Sequence, residues 1–510
     1  MALRKTAGYA WNLTSLIGII LAATATGLII AFLSFEAITG IEHPYLGLLT
    51  YFVFPGMLIA GLILVPVGAW RVRNQRRLEP DVDIPPFPRL DLNDPSKRHL
   101  FIFFIVATIV FVIIVAVASI KGYEFTESTM FCGELCHPVM DPEHVAWSNS
   151  PHAKVKCVEC HVGPGAAWYV KAKISGMKQL YAVLFHTYPE TIETPIENLR
   201  PARDTCEHCH WPEKFYSGRQ KVFYHFAPNE QNTPREINML IKIGGTPKSP
   251  HAMGIHWHIG TEVHYIARDK KRQDIPYIAV MEKDGTITEY MDIDKPLTKA
   301  EIAQAPKRLM DCTDCHNRPT HIYRSPGQEM DESIVSGGVD PSLPYIKKIG
   351  VELMEKPYKT KEEGKKAIAA GIKEFYAKNY PKVAQEKAAA INQAIEHVQE
   401  MYHRNYFPAM KVSWSTYPNH IGHFYSPGCF RCHDGKHKSA KGKIISKDCN
   451  LCHMVISQKQ ENIPPGKEVK NFVHPVDIGD ELMKINCSDC HMAGGRDVTG
   501  GESGHKAEEH

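Results

Sequence analysis

Every cysteine in this chain of 510 residues belongs to a short cluster that closes on a histidine, and the pattern recurs to the C-terminus. The clusters are Cys132 and Cys136 before His137, Cys157 and Cys160 before His161, Cys206 and Cys209 before His210, and Cys312 and Cys315 before His316. Cys429 and Cys432 before His433, Cys449 and Cys452 before His453, and Cys487 and Cys490 before His491 complete the fourteen cysteines. Nothing constrains the fold more, because each triplet must be presented to the same kind of group at nearly the same spacing. Two thiols can form thioethers with the vinyl groups of a porphyrin, and a histidine directly after the second brings its imidazole to the iron. Zinc sites and disulfide frameworks also use cysteine pairs, but neither needs a histidine after every second cysteine. With 27 histidines in the chain, seven such coincidences have odds on the order of one in a billion. Seven covalently attached c-type haems are therefore expected, the cysteines holding the rings and the seven histidines serving as proximal iron ligands.

The first cluster departs from the common spacing, with Gly133, Glu134 and Leu135 between its cysteines. One extra residue can be looped out, so the first haem is expected to be attached but presented differently from the others.

Before the first cluster the chain is apolar. Trp11 to Phe35, Tyr45 to Trp70 and Leu100 to Ile120 are long uncharged runs, each exceeding the roughly 20 residues that span a bilayer. Arg4 and Lys5 precede the first run, and Arg71, Arg73, Arg76, Arg77, Arg89, Lys97 and Arg98 lie between the second and third. Lys and Arg gather on the cytoplasmic side, so the N-terminus and the connector are expected in the cytoplasm and everything after Ile120 outside it. A cleaved signal peptide is the competing reading of the first run, although that run is longer than a typical signal core. Either reading exports the cysteines. The formal charge of +3 becomes more negative by about one to two charges per haem once propionates are counted, and nothing points to nucleic acid.

Five regions follow from this pattern. Residues 1–98 are two transmembrane helices and a cytoplasmic connector, extended at its Pro- and Asp-rich part from Glu79 to Pro95. Residues 99–215 hold the third span and three haem clusters. Here Ala166 to Phe185 mixes lysines with apolar residues at helical spacing, as a helix on a membrane surface or an ordinary packing helix would. Residues 216–300 are β-rich, with alternation in EVHYIARD and a hairpin turn at Asp284 and Gly285. Residues 301–425 carry the fourth cluster and a polar helical spacer. In it Thr360 and Glu363 form a capping box, and Pro381 starts a helix running to about Arg404. Residues 426–510 bring three clusters together with little apolar periodicity, so haem contacts rather than a side-chain core would hold them, and a polar tail from Gly494 is expected to be disordered. The fold class is a mainly α membrane anchor of three transmembrane helices, plus an irregular, largely α multihaem cytochrome c domain with a small β insertion.

Iron in an electron carrier is usually six-coordinate, which calls for distal ligands beyond the proximal set. His152 and His251, each in an SPHA sequence, and His256 and His258, in IHWH on one face of an expected strand, are candidates. So are His225, His264, His321, His403, His420, His423, His437 and His474. Met140, in CHPVM, is a candidate ligand of the first iron, where a thioether would raise the potential. Its alternative role is packing.

A membrane anchor followed by CHPVM, SPHA, CVECH and a lysine-bearing helix, from about His99 to His210, resembles the NapC/NirT/NrfH family of membrane-anchored quinol dehydrogenases. The resemblance implies that electrons are taken from quinol or menaquinol in the bacterial cytoplasmic membrane and handed to a periplasmic cytochrome or reductase. The two extra spans and the larger number of clusters look like the bigger inner-membrane multihaem cytochromes of bacteria that respire extracellular metals. In the NrfH-type members a methionine near the first cluster ligates the first haem, and a lysine with an acidic residue borders the quinol pocket. Met140 and Lys173 match the first two. The acid has no match: Gln179 stands near its place and Glu190 is the next acid downstream, which leaves Asp141, Glu143 and His144 as substitutes for taking the quinol proton. A terminal reductase with an open iron, and a conducting subunit of a larger complex, are the rival readings.

Overall fold

The computed structural model describes residues 12–39, 53–78, 91–134, 139–163, 165–196, 200–215, 217–244, 254–464, 467, 469, 471–482 and 485–486. Two compact units can be distinguished, Met1–Cys132 with Cys157–Lys178, and Gly133–Lys156 with Gln179–His510.

The first unit is built on α1 (Leu13–Thr39), α2 (Phe54–Leu78) and α3 (Pro95–Thr126), each long and apolar enough to cross a membrane. They coincide with the three expected spans, except that α2 carries on past Trp70 through its arginines, and the expected start of that span at Tyr45 lies outside the described residues. The helices α1 and α2 cross on small residues, as membrane helices do when packing rather than the hydrophobic effect joins them. A Cβ added to Gly18 would sit 2.7 Å from the Gly61 carbonyl oxygen. Buried Ser15 donates to the Val65 carbonyl at 2.9 Å, next to Pro66. The helix α3 begins where Asp94 accepts a hydrogen bond from the Ser96 amide, with Pro95 in the first turn. Its Phe103, Val106, Ile109, Val110, Ile113 and Ile114 are exposed, a surface suited to lipid.

Three helices lie between the first and third clusters: α4 (Asp141–Ser148) in the second unit, α5 (Cys157–His161) in the first, and α6 (Ala166–Leu184), which passes from the first into the second. The remainder of the second unit contains two sheets. The strands are β1 (Gly218–Phe226), β2 (Pro234–Lys242), β3 (Val263–Ile266), β4 (Tyr277–Met281), β5 (Ile287–Asp292), β6 (Arg308–Leu309), β7 (His437–Ser439) and β8 (His453–Lys459). They pair as β1-β2-β8 and β6-β3-β4-β5-β7. The expected hairpin is β4–β5, with Gly285 at φ 81° in its turn, a conformation that glycine adopts without penalty.

Three expectations need correction. The fifth and sixth clusters are not held by haem alone: β7 and β8 complete the two sheets, and Cys432 and Ile445 pack on the core of Val263, Tyr265, Ile278 and Val280. IHWH is not a strand but a helical turn, Trp257–Gly260 capped by His256, because Gly260 and Thr261 donate back to the His256 and Trp257 carbonyls. The polar helical spacer is in fact the largest buried core. It comprises α7 (Pro326–Val335), α8 (Ile346–Met354), α9 (Lys361–Asn379), α10 (Pro381–Glu386) and α11 (Ala388–Asn405). Ile368, Ile372 and Tyr376 on α9 meet Ile391, Ile395, Val398 and Tyr402 of α11. Each fully buried large side chain there contributes about 1.5–3 kcal/mol. Thr360 caps α9 as expected, but Glu363 reaches back to the Lys359 amide instead of closing a capping box, and the helix expected from Pro381 breaks at Lys387.

Candidate haem and quinol sites

The end of α3 and the first cluster are joined by a π-helical turn, Met130–Glu134. Such a turn absorbs one extra residue, and it falls where this cluster has one more residue than the rest. Gly133 is required there. A Cβ at this position would lie 2.4 Å from Cδ2 of His144, whose ring also stacks on Trp147 at 5.5 Å. In the first unit the thiols of Cys132 and Cys157 lie within hydrogen-bonding reach of each other, which brings the first two clusters together.

The same unit supplies an acid that the residue pattern did not single out. Glu127, the C-cap of α3, is buried, and its Oε1 pairs with Lys173 Nζ of α6. Both charges act on the Cys132 thiol, and Lys173 also lies over the Tyr169 ring at 5.1 Å. The resemblance pointed to an acid C-terminal to the lysine, whereas Glu127 precedes it; its position at the C-terminal end of an apolar span was the signal available. Gln179 is exposed on α6. Along α6, Val170, Ile174, Met177, Tyr181 and Leu184 are exposed at helical spacing. An apolar stripe of this kind suits a membrane surface better than a packing role.

In the second unit, the two acids named as substitutes for the missing one, Asp141 and Glu143, are already engaged. Asp141 pairs with Lys361 at 2.7 Å. Glu143 receives His321 Nδ1 at 2.9 Å and Arg318 at 3.1 Å. Burial alone would raise the Glu143 pKa, but the His321 hydrogen bond and the Arg318 charge outweigh it and hold the carboxyl at about 2. Met140 stands at the N-cap of α4.

The eleven described cysteines form no disulfide with one another. Among the described residues no group of three or more His, Cys, Asp or Glu gathers in one place. The histidines instead meet in pairs: His152 with His210 at 6.0 Å between ring centres, His258 with His433 at 5.8 Å, and His423 with His453 at 6.1 Å. Two imidazoles on opposite faces of one iron, with metal–nitrogen bonds of about 2.0 Å and ring centres about 1.1 Å beyond, stand about 6 Å apart. The donor set therefore fits haem iron.

Hydrogen bonds orient several rings. Nδ1 of His256, His258 and His433 faces a backbone carbonyl at 2.6 to 2.8 Å, which leaves Nε2 for iron, as metal-bound histidines require, while Nδ1 of His474 lies by both the carbonyl and the amide of Val476. His321 is held in the same way by Glu143. His225 lies 3.3 Å from Asp331, His264 is 3.7 Å from Glu262, and His403 has a buried Nδ1 with no hydrogen-bond partner.

In two candidates both ring nitrogens meet hydrogen-bond partners within the protein. His420 bonds the Asp314 carbonyl and Gln273, and burial with the nearby Arg431 charge pushes it down to about 4. His437 bonds Asp434 and the Ile275 carbonyl; burial opposes its charged form, but Asp434 raises it. Cys136, His137, His251, Cys487, Cys490 and His491 lie outside the described residues.

The clusters of the second unit are also held firmly. Asp314, inside the fourth cluster, accepts hydrogen bonds from Arg272 at 2.9 Å, Arg308 at 2.8 Å and Tyr265 at 2.6 Å. Burial alone would raise its pKa, but Arg308 and Tyr265 lower it. The Cys206 and Cys312 thiols lie within hydrogen-bonding reach, and Cys429 lies in the electrostatic range of both Cys315 and Cys452. The third to sixth clusters thus form one continuous series.

Comparison with known proteins places this arrangement. Residues 94–200 match the model of the NapC/NirT cytochrome c family, N-terminal region. The cytochrome c-type protein ImcH of Geobacter sulfurreducens is 73% identical over 502 residues, covering 98% of this chain and 99% of its own length. No solved structure matches.

Proposed function

Since the chain belongs to the NapC/NirT cytochrome c family of membrane-anchored electron-transfer proteins with covalently bound haem, we propose that it oxidises a quinol or menaquinol at the membrane surface. In this reading seven haems carry the electrons to a periplasmic cytochrome or reductase. The observation that carries it is the buried Glu127, at the C-terminal end of α3, paired beside Cys132 with Lys173 of α6, a helix with an exposed apolar stripe.

A quinol releases two electrons and two protons. The haem, when bound, supplies the one-electron chemistry; the protein has to place the quinol and receive the protons. Lys173 sets its charge on the Glu127 carboxylate, and a quinol hydroxyl donating to that carboxylate delivers its proton there. The exposed side chains of α6 hold the apolar tail, and the second proton leaves to the aqueous side. The distribution of Lys and Arg supports a cytoplasmic N-terminus, with the haem region outside. The contiguity of the third to sixth clusters supports a single path, with the C-terminal clusters as its exit.

Purified protein in liposomes, given a chemically reduced menaquinol analogue, should show haem reduction by visible absorbance. No reduction, while dithionite still reduces the same haems, would overturn the proposal.

A further inference from the structure

Two of the histidine pairs lie outside the region that matches the family model, and both join a proximal histidine to a residue far away in the chain. His258 comes from the turn capped by His256, and its ring faces His433 at 5.8 Å with the planes at 83°. Both rings turn Nδ1 to a carbonyl, that of Ile255 for His258 and that of Ser446 for His433, each at 2.8 Å. Neither ring has a choice of tautomer left: Nδ1 carries the proton and Nε2 the lone pair. His423 faces His453 at 6.1 Å with the planes at 27°, and Phe430 stacks on it at 4.4 Å. In this second pair each Nδ1 is buried and meets no hydrogen-bond partner. What points to a shared metal here is the spacing of the ring centres, which is that of two imidazoles bound to one iron.

We infer that His258 and His433 are the two axial ligands of the iron whose haem is attached at Cys429 and Cys432, and that His423 and His453 are those of the iron at Cys449 and Cys452. The inference rests on the proposal that these clusters bind haem. Its consequence is functional. Both irons are six-coordinate and closed to small molecules, so this part of the chain conducts and cannot be the site of a haem-based terminal reductase. Conduction also suits their setting, because the β7 and β8 strands that follow the two clusters are fixed into the sheets.

The two irons should differ in a way set by ring orientation. Nearly perpendicular imidazole planes leave the iron orbitals nearly degenerate and give a highly anisotropic low-spin paramagnetic resonance signal, whereas nearly parallel planes give a rhombic one. The test uses the full-length holoprotein with His258→Ala, His423→Ala and the matching methionine variants. Haem content is measured first by mass spectrometry, so that loss of haem in the unaltered protein, which would sink the haem reading itself, is separated from a wrong ligand.

With haem retained, His258→Ala should lose one highly anisotropic low-spin signal and His423→Ala one rhombic signal. Each should gain one ferrous haem that binds carbon monoxide. His258→Met and His423→Met should stay low-spin, bind no carbon monoxide and titrate at a higher potential. They decide the matter should an alanine variant be recovered without its haem. Unchanged low-spin signals and potentials in the methionine variants, or no new carbon monoxide binding in alanine variants that keep every haem, would overturn the assignment.

Discussion

Replacing either member of the Glu127–Lys173 pair should have unequal effects, and the inequality can be worked out from burial. The Glu127 side chain is 7% exposed and that of Lys173 37%. Opposite charges 4 Å apart attract by about 4 kcal/mol at an effective dielectric constant of 20, and solvent at the half-exposed lysine reduces this to about 1–2 kcal/mol. Lys173→Met strands a buried carboxylate, which costs about 3 kcal/mol or the group takes up a proton. Glu127→Gln leaves an ammonium that can turn to water, at about 1 kcal/mol. Local stability should therefore fall more in the lysine variant. Hydrogen exchange across residues 123–132 and 169–176 measures this, and equal or reversed losses would refute the burial argument. Activity should follow a different rule. Loss of a positioned proton acceptor costs about 100- to 10,000-fold in rate, so Glu127→Gln should reduce menaquinol-driven haem reduction by at least about 100-fold while dithionite reduction is unaffected. The double variant should be little worse than the poorer single one, because the two residues act as a unit. A Glu127→Gln rate within about threefold of the unaltered protein would refute the role given to Glu127 and put the proton acceptor elsewhere.

Three further outcomes are expected. Gly133→Ala should displace His144, whose ring a new Cβ would meet at 2.4 Å, and resonance Raman spectra should show the change confined to one haem. Glu143, held at about 2 against an ordinary 4.5, should contribute stability that is fully present above pH 4.5 and is lost as the pH falls to about 2. The contribution is about 3 kcal/mol, and Arg318→Met should move the acid unfolding midpoint of the second unit upward when followed by circular dichroism. Ile372→Ala, in the core of α9 and α11, should cost about 2–5 kcal/mol. Denaturant unfolding should show that loss if the helical region is a folded core, and almost none if it is only a spacer.

Local chemistry in the chain determines a good deal of this protein. Attachment spacing is covalent geometry, so CVECH or CFRCH can be read as it stands. An uncharged run longer than a bilayer is legible for the same reason, since the hydrophobic effect and the backbone's own hydrogen bonds act within the segment; hence the close agreement of α1 and α3 with the expected spans. The Thr360 cap and the turn at Gly285 are also settled by neighbours within four residues. Other features depend on partners far along the chain. Glu127 lies 46 positions from Lys173, and no periodicity links a span's last turn to a helix beyond the second cluster. His258 finds His433, and β8 finds β2, only when the whole second unit has folded. Among many histidines the sequence offers candidates of equal standing. Tertiary packing separates His258 and His423, which face another ring, from His420 and His437, whose nitrogens are already taken by the protein. Hydrogen bonds and burial are pairwise quantities, and a residue's role in them is decided by what the fold brings beside it.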